Sequence, residues 1–275
     1  MRQIVKRLLK AAGWQLSRRI PIDFSPEDVA LLERVEPYTM TSPERVFMCA
    51  RATEYVVHHG IPGDIVECGV WRGGSMMAIA LTLLRLGDQS RDLYLFDTFE
   101  GMPPPTAQDV DFKGRDAASQ VVSGTQPDGR SWLYASLEDV REAVLSTGYD
   151  AARVHFVKGK VEDTLPDRAP QQISLLRLDT DWYESTRHEL RHLYPRLARA
   201  GVLILDDYGH WQGARQARAS ISPSSASPCC STGSTAPPGL LSSPERGDAP
   251  LTAGMALRRL VTRRYKQPAP RDPSQ

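Results

Sequence analysis

The sequence predicts an α/β protein with a doubly wound, mostly parallel sheet. Short apolar runs, which suit buried strands, alternate along the chain with longer segments of helical pattern. Strands are predicted at residues 64–69, 93–97, 154–157, 173–178 and 202–205, and helices between them at residues 74–86, 137–146 and 184–199. Regular alternation of this kind is typical of parallel strands that are joined by crossover helices and buried on both faces.

Two further helices are expected before the first strand. One begins at Pro26, and the next follows Thr41 and Ser42, has Pro43 in its first turn and continues to about residue 59. We therefore expect residues 1–60 to form an N-terminal helical cap and residues 61–217 to form the sheet domain. The first 19 residues are basic, and their apolar stretch is too short for a signal peptide or a membrane span.

The last part of the chain does not follow this pattern. Residues 219–250 are rich in Ser, Pro and Gly and contain few large apolar side chains. Such a segment cannot bury enough surface to offset the entropy that is lost on ordering. We expect residues 218–275 to form a low-complexity, disordered tail.

The composition argues against several classes of partner and location. The 34 Lys and Arg residues nearly balance the 33 Asp and Glu residues, and the net charge is +1. Many of the basic residues lie in the tail, so the rest of the chain is mildly acidic. It carries no basic stripe with interleaved aromatic residues, and nucleic acid is not an expected partner. The four cysteines have no CxxC spacing, which favours a reduced, cytoplasmic protein without stable membrane insertion.

Four acidic residues follow two of the predicted strands. Asp179 and Asp181 come after the run at 173–178, and Asp206 and Asp207 come after the run at 202–205. The carboxyl ends of parallel strands meet at one edge of the sheet, which is where such folds bind ligands. Because carboxylates collected in one place need a cation, the sequence predicts a divalent metal site at this edge.

A glycine-rich turn joins the first predicted strand to its helix. It contains Gly69 and Gly73, and the bulky Trp71 between them breaks the spacing of a dinucleotide-binding fingerprint. Glu67, just before the turn, is placed to accept hydrogen bonds from an ammonium group. Asp97, at the end of the next strand, is placed to bind both hydroxyls of a ribose. A ligand with a ribose, an amine and no phosphate is S-adenosylmethionine.

The segment HELRH at residues 188–192 indicates a different chemistry. It matches the H-E-x-x-H signature of zinc hydrolases on a predicted helix. However, Pro195 stands where the extended signature needs Gly, and no other Glu follows before Glu245. A zinc hydrolase that uses His188 and His192 is therefore kept as an alternative, beside the simpler interpretation of a chance match on a solvated helix face.

Five segments together resemble the macrocin O-methyltransferase (TylF-type) family over about residues 38–217. They are 65–70 (IVECGV), 96–103 (FDTFEGMP), 161–166 (VEDTLP), 178–186 (LDTDWYEST) and 206–209 (DDYG). Members of this family depend on S-adenosylmethionine and Mg²⁺ and methylate sugar hydroxyls on macrolide and aminocoumarin antibiotics. The resemblance implies the Rossmann-like fold of class I methyltransferases, a glycosylated natural product as acceptor and a role in antibiotic biosynthesis. We also expect a homodimer.

The resemblance implies roles for individual residues. Asp179, Asp206 and Asp207 correspond to Mg²⁺ ligands, and Asp181 corresponds to the general base. The residues that it places around S-adenosylmethionine are Thr41, Glu67, Gly69, Val70, Gly73, Gly74, Ser75, Asp97, Thr98, Gly159, Val161, Glu162 and Asp179. Side chains that remain open between core packing and contact with the acceptor are Trp182, Tyr183, Tyr208, His210 and Trp211.

The tail departs from the family. The family pattern continues past residues 206–209 with an amphipathic helix and a closing antiparallel strand pair, whereas here it ends near Ala217. We expect the tail to replace both elements, and we take a shifted reading frame as the hypothesis. Reading the coding DNA in the other two frames after codon 217 tests it. Because the sheet would lose an edge, an inactive or misfolded remnant of such an enzyme is a second alternative.

Overall fold

The computed structural model describes residues 20–21, 23–121, 133–220 and 239–242. The basic segment 1–19 and most of the tail predicted to be disordered lie outside these residues. Within the described ranges, no helix combines the length and the apolar character that crossing a membrane requires.

A six-stranded sheet forms the centre of the fold, in the order β3-β2-β1-β4-β5-β6. Its parallel strands are β1 (Asp64–Cys68), β2 (Leu93–Asp97), β3 (Val154–Lys158), β4 (Ile173–Leu178) and β5 (Leu197–Leu205). The strand order changes direction at β1, which lies between β2 and β4. A crevice therefore opens beyond the carboxyl ends of these strands. The predicted doubly wound parallel sheet is confirmed.

Helices pack on both faces of this sheet. The described part of the chain contains α1 (Pro26–Val35), α2 (Pro43–His58), α3 (Gly74–Leu86), α4 (Ala117–Val121), α5 (Leu137–Leu145), α6 (Val161–Thr164), α7 (Tyr183–Leu193) and α8 (Gln212–Ala219). Local chemistry sets several of their ends. Ser25 and Asp28 form a reciprocal capping box at the start of α1, and Gly87 ends α3 in the left-handed conformation.

The two N-terminal helices share their core with the sheet. Val35 of α1 and Val46 and Val56 of α2 are fully buried in one apolar cluster with Ile79 and Leu83 of α3. Burial of a side chain of this kind contributes about 1.5–3 kcal/mol. These helices therefore help to hold the sheet domain together, and the boundary between a cap at 1–60 and a domain at 61–217 stays a prediction.

The predicted C-terminal end of the helix at 184–199 is wrong, because the helix ends earlier in the chain. Helix α7 ends at Leu193, a short 3-10 helix covers Tyr194–Arg196, and β5 begins at Leu197 instead of at residue 202. Pro195 accounts for the stop, because its ring clashes with the preceding helical turn and it has no N–H to donate. The sequence pattern does not predict the first part of β5 as strand. This part pairs irregularly with β4, and Ala200 in it adopts a positive φ of 62°.

The predicted replacement of the closing helix is wrong. An amphipathic helix, α8, is present, and Ala214 and Ala217 are buried on its inner face. Of the closing strand pair, the described residues contain one short strand, β6 (Gly239–Ser242), which pairs antiparallel with β5. The acid-tipped strand β5 therefore has neighbours on both sides, and disorder of the tail at 218–275 stays a prediction.

The segment at 98–121, called the cover loop below, follows β2 and lies over the carboxyl edge of the sheet. Asp111 forms a β-bridge with Trp211, and Asp109 accepts a hydrogen bond of 2.8 Å from the main-chain N–H of Tyr183. The indole N–H of Trp182 donates to the main-chain oxygen of Pro103 at 2.9 Å. These contacts connect the loop to the segments that follow β4 and β5, as expected for a segment that covers a site.

Candidate active site

A cavity of about 420 Å³ lies beyond the carboxyl ends of β1, β2, β4 and β5. This volume is within the usual range for small-molecule sites. The predicted site residues in its wall are Thr41, Gly69, Asp97, Thr98, Gly159, Val161, Glu162, Asp179, Asp181, Asp206 and Asp207. The predicted residues that are not part of the wall are Glu67, Val70, Gly73, Gly74 and Ser75.

The glycine-rich turn is shaped by contacts within the protein. Gly69 has a positive φ of 80°, and a Cβ at this position would lie 2.1 Å from the main-chain oxygen of Asp179. Gly73 has a φ of 87°, and a Cβ there would lie 2.8 Å from a methyl group of Val144. Both positions therefore require glycine. Of the two, only Gly69 reaches the cavity.

Asp97 lies at the end of β2, in the cavity wall. Its Oδ2 accepts hydrogen bonds from the main-chain N–H groups of Val70 at 2.7 Å and Trp71 at 3.1 Å. Its Oδ1 accepts one from the N–H of Phe99 at 2.8 Å. A carboxylate has about four acceptor positions, so the protein uses most of them. Asp97 is thus fixed between the glycine-rich turn and the cover loop and keeps capacity for a further hydroxyl donor.

Three carboxylates converge at the ends of β4 and β5. Asp179, Asp206 and Asp207 each place one oxygen within 4.8 Å of the others. The main-chain N–H of Asp206 donates to the oxygen of Leu178 at 3.0 Å, which holds the two strand ends in register. Two ionised carboxylates at this spacing repel each other by about 3–4 kcal/mol at an effective dielectric constant of about 20. The arrangement therefore needs positive charge.

Asp181 is held in an unusual conformation beside this group. Its φ is +64°, and the N–H of Trp182 donates to the oxygen of Thr180 at 2.7 Å across a three-residue turn. The turn places Asp181 in the cavity wall, where its Oδ1 accepts the indole N–H of Trp211 at 2.6 Å. Burial, followed by the nearby carboxylate of Asp179, raises the pKa of Asp181 to about 7.

Arg177 of β4 was not among the predicted site residues, although it lies among the acids of the site. It is 2% exposed, and its guanidinium lies 2.6 Å from Glu67, 2.7 Å from Asp179 and 3.1 Å from Asp206. Glu67 and Arg177 are register partners on β1 and β4. Burial raises the pKa of Glu67 to about 7, although Arg177 opposes the shift.

A second cation reaches the same acids from α2. Arg45 lies in the cavity wall, and its Nη1 is 2.5 Å from Oδ2 of Asp206. Burial alone would raise the pKa of Asp206, but Arg177 and Arg45 lower it below its ordinary value. Burial raises the pKa of Asp179 and of Asp207 well above the ordinary value, and the neighbouring carboxylates add to both shifts.

The donor set fits a hard divalent cation. Carboxylate oxygens are the ligands that Mg²⁺ and Ca²⁺ prefer. The three converging carboxylates provide them, and Oδ1 of Asp206 is buried without a well-aligned hydrogen bond, although Nη2 of Arg177 lies 3.1 Å away. Arg177 and Arg45 bring two positive charges to an edge that carries five acids, and the raised pKa values of four of these acids show that more positive charge is needed to keep them all ionised. Asp179, Asp206 and Asp207 would hold the ion.

The family model described as Macrocin-O-methyltransferase (TylF) matches residues 25–223. The chain belongs to this family of O-methyltransferases. The predicted family, the Rossmann-like fold and the enzyme class are confirmed by this match together with the sheet and its structural neighbours.

Individual members of the family show how far the similarity extends. A 4'-O-methyltransferase from Streptomyces olivaceus, named for 8-demethyl-8-(2,3-dimethoxy-alpha-L-rhamnosyl)-tetracenomycin-C, is 37% identical over 184 residues, which are 66% of this chain and 67% of the relative. The demethyldecarbamoylnovobiocin O-methyltransferase of Streptomyces niveus is 32% identical over 171 residues, 62% of each chain. The chain thus spans about two thirds of the length of the curated relatives that it matches.

A solved structure of an O-methyltransferase supports the fold. The O-methyltransferase NovP superposes with a TM-score of 0.62 at 28% identity, over 76% of this chain and 83% of that one. The family match ends at residue 223, before the described strand β6.

The H-E-x-x-H segment lies on α7. The rings of His188 and His192 are 4.4 Å apart, whereas Glu189 is fully buried and accepts a hydrogen bond from Thr180 at 3.2 Å. Among the described residues, the grouping of three or more possible metal ligands is that of Asp179, Asp206 and Asp207, and neither histidine belongs to it. The geometry gives this pair no third zinc ligand within the described part of the chain.

Several residues of the cavity wall were not among the predicted site residues. They are Met40, Arg45, Trp71, Gly101, Met102, Pro103, Gln120, Leu133, Lys160, Thr180, Trp182, Ser185 and Trp211. Trp182 and Trp211, which the sequence left open, are both buried and pack edge to face with ring centres 5.2 Å apart. Some of them could have been predicted, since Gly101, Met102 and Pro103 fall inside a segment that resembles the family.

Proposed function

We propose that this protein methylates a sugar hydroxyl on a glycosylated natural product. It would use S-adenosylmethionine as methyl donor, Mg²⁺ at Asp179, Asp206 and Asp207, and Asp181 as general base. The observation that carries the proposal is that the three carboxylates share one cavity with Asp97 and Asp181. We also propose that the protein is cytoplasmic and that it forms a homodimer.

The cofactor end of the cavity is the wall formed by Asp97, Gly69, Thr41 and the turn at 159–162. S-adenosylmethionine, when bound, supplies an electrophilic methyl group. Asp97 is fixed by three main-chain N–H groups and is positioned to accept a ribose hydroxyl. Glu67 lies beneath the turn, paired with Arg177, so it would act on the cofactor through the turn and not by direct contact.

The acceptor end is the wall formed by the carboxylates and the tryptophans. Mg²⁺, when bound, supplies a Lewis acid that makes an acceptor hydroxyl more acidic. Asp181 would take the proton of this hydroxyl, because one of its oxygens is held by Trp211 and the side chain lies in the cavity wall. A well-positioned general base contributes roughly 10²–10⁴-fold to a rate.

The class of acceptor is supported by the shape of this wall and by the relatives. Trp182 and Trp211 present aromatic surface beside Asp181, which suits the C–H face of a sugar ring. The Streptomyces olivaceus relative is named for a rhamnosyl tetracenomycin, and the Streptomyces niveus relative for demethyldecarbamoylnovobiocin. The first name describes a glycosylated natural product, which supports an acceptor of that kind for this chain.

Calorimetric titration and an acceptor screen test the proposal together. The protein is titrated with S-adenosylmethionine with and without Mg²⁺, and is then incubated with a panel of glycosylated natural products under mass detection of a methyl gain. We expect cofactor binding and a methylated product that disappears with EDTA and with Asp181→Asn. Transfer that survives EDTA would remove the metal from the proposal, and transfer that survives Asp181→Asn would remove the base.

A remnant without activity is the second candidate. The observation in its favour is that the family match stops at residue 223. Binding of S-adenosylmethionine without transfer to any member of the panel supports this candidate. Absence of cofactor binding together with stoichiometric zinc would instead support the hydrolase that uses His188 and His192.

A further inference from the structure

Each of the three converging carboxylates has at least one oxygen held by the protein. Oδ2 of Asp179 accepts from Arg177 at 2.7 Å, and Oδ2 of Asp206 accepts from Arg45 at 2.5 Å. Oδ2 of Asp207 accepts from the main-chain N–H of Asp181 at 3.1 Å. The rotation of all three carboxylates is therefore fixed without any bound ion.

Arg177 occupies the centre of this arrangement. Its Nη1 donates to Glu67 at 2.6 Å, its Nη2 donates to Asp179, and Nη2 also faces Oδ1 of Asp206 at 3.1 Å. The side chain is 3% exposed, so its partners do not exchange it for water. A planar guanidinium can serve three acids in fixed directions, which the compact ammonium of lysine cannot do.

The positive charge of Arg177 also offsets the repulsion between the neighbouring carboxylates. The carboxylates of Asp179 and Asp206 would separate or bind protons if no cation lay between them. Arg177 is an internal cation that spans the ends of β1, β4 and β5, since its partners Glu67, Asp179 and Asp206 belong to or directly follow those strands.

We propose that Arg177 and, to a lesser extent, Arg45 are positioning residues that hold the metal-binding carboxylates in place before the ion arrives. The inference rests on the proposed function, because it requires that Asp179, Asp206 and Asp207 bind a divalent ion. It adds two arginines to the site and gives each a defined partner oxygen.

Manganese binding to the full-length protein, followed by electron paramagnetic resonance, tests the proposal without any acceptor substrate. Arg177→Lys keeps the positive charge and removes the planar geometry. We expect its Mn²⁺ affinity to fall by about 10–100-fold, the usual effect of losing a group that orients a metal ligand. The spectrum of the bound ion should broaden because the carboxylates become less uniformly placed.

Arg91→Lys is the matched control. Arg91 is also buried, at 9% exposure, but it lies at the other end of the strands and donates to the main-chain oxygens of Ile61 and Gly63. We expect this variant to melt at a lower temperature and to bind Mn²⁺ as the wild type does. An equal loss of Mn²⁺ affinity in both variants would show a general loosening of the fold and overturn the proposal.

Two further variants keep the test decisive. If Arg177→Lys does not fold, Arg45→Lys replaces it, because Arg45 is 21% exposed and its substitution leaves the core intact. We expect a loss of Mn²⁺ affinity of about 10-fold for this variant. Wild-type affinity in the variant tested would overturn the proposal. Tighter binding by Arg177→Met would also overturn it, since Arg177 would then act only as a repelling charge.

The failures of the two proposals differ. A wild-type protein that binds no Mn²⁺ contradicts the proposed metal site itself. If the wild type binds Mn²⁺ and Arg177→Lys binds it with equal affinity, only the positioning role is contradicted.

Discussion

Two buried arginines lie at opposite ends of the same sheet, and their partners differ in kind. At the amino end, Arg91 donates to the main-chain oxygens of Ile61 and Gly63 and to Ser174, and pairs with one acid, Asp88. At the carboxyl end, Arg177 faces three acids and no carbonyl oxygen among its hydrogen-bond partners in the described residues.

The different partners indicate that Arg91 contributes to the stability of the fold, whereas Arg177 belongs to the proposed site. Main-chain oxygens in the interior need donors but carry no net charge, so the partners of Arg91 are satisfied once the chain has folded. Three acids face the single positive charge of Arg177, so their full ionisation needs more positive charge than Arg177 carries. Burial alone therefore does not show that an arginine belongs to a functional site. Several acidic partners around one buried arginine are the more specific indication.

The largest effect is expected at the carboxyl end, from Asp181→Asn. The amide cannot accept the proton of the acceptor hydroxyl, so kcat should fall by roughly 10²–10⁴-fold. Initial rates with the acceptor found in the screen, together with a thermal melt, measure it. A nearly unchanged melting temperature is expected, and unchanged turnover would place the base elsewhere.

At the amino end, Arg91→Met should affect stability and spare the site. Loss of its hydrogen bonds leaves carbonyl oxygens and Asp88 without their donor, which should lower the free energy of unfolding by about 2–4 kcal/mol. Denaturant unfolding measures this, and S-adenosylmethionine affinity should stay at the wild-type value. Arg153→Met, which breaks a surface pair with Asp92 at 2.8 Å, is the control and should cost less than about 1 kcal/mol. Equal losses in the two variants would contradict the contrast between them.

A smaller catalytic effect is expected from Trp211→Phe. The substitution keeps an aromatic ring and removes the N–H that donates to Asp181 at 2.6 Å. One hydrogen bond to a charged group corresponds to about 10-fold in kcat. Trp182→Phe is the matched control, since its indole N–H donates to Pro103 and not to the base. The prediction fails if both variants lose the same turnover.

The smallest effect concerns the cover loop and depends on pH. Although burial acts to raise the pKa of Asp111, hydrogen bonds from Arg115 and from the N–H of Lys113 lower it to about 2. A carboxyl group whose folded-state pKa lies below its unfolded value of about 3.9 contributes stability above that value and loses it as the pH falls towards 2.

Asp111→Asn tests this pH dependence. Its melting temperature should lie below that of the wild type at pH 6, and the difference should shrink between pH 4 and pH 2. Asp116→Asn serves as the control, because Asp116 is exposed and its Oδ1 accepts an N–H from Ala118, which the amide oxygen of Asn can also accept. A difference for Asp111→Asn that is constant over the whole range would exclude the carboxylate as its cause.

The sequence was sufficient for the parts of the molecule that local patterns determine. Apolar runs that end in acids located β4 and β5, and the same pattern placed Asp179, Asp206 and Asp207 at one edge. It failed where a property depends on neighbours that are distant in the chain. Arg177 and Glu67 are separated along the chain but paired in register, and a charge in each of two buried runs was the signal that could have connected them.

Backbone conformation was the other part that the sequence did not reveal. The positive φ of Asp181 turns its side chain into the cavity, and no residue pattern predicts this value for an aspartate. The early end of α7 could have been predicted from Pro195, whereas the strand β6 could not, because only Leu240 and Leu241 are apolar in its part of the tail.

The contact between Gly69 and the main chain of Asp179 leaves no room for even one methyl group. In the proposed function, the methyl-donor half and the acceptor half of the cavity are therefore joined backbone to backbone, and this contact does not depend on any side chain. Substitutions in the loop at 98–121 would then change the choice of acceptor while the distance of methyl transfer stays constant. A scaffold of this kind would take new acceptors with the same transfer geometry.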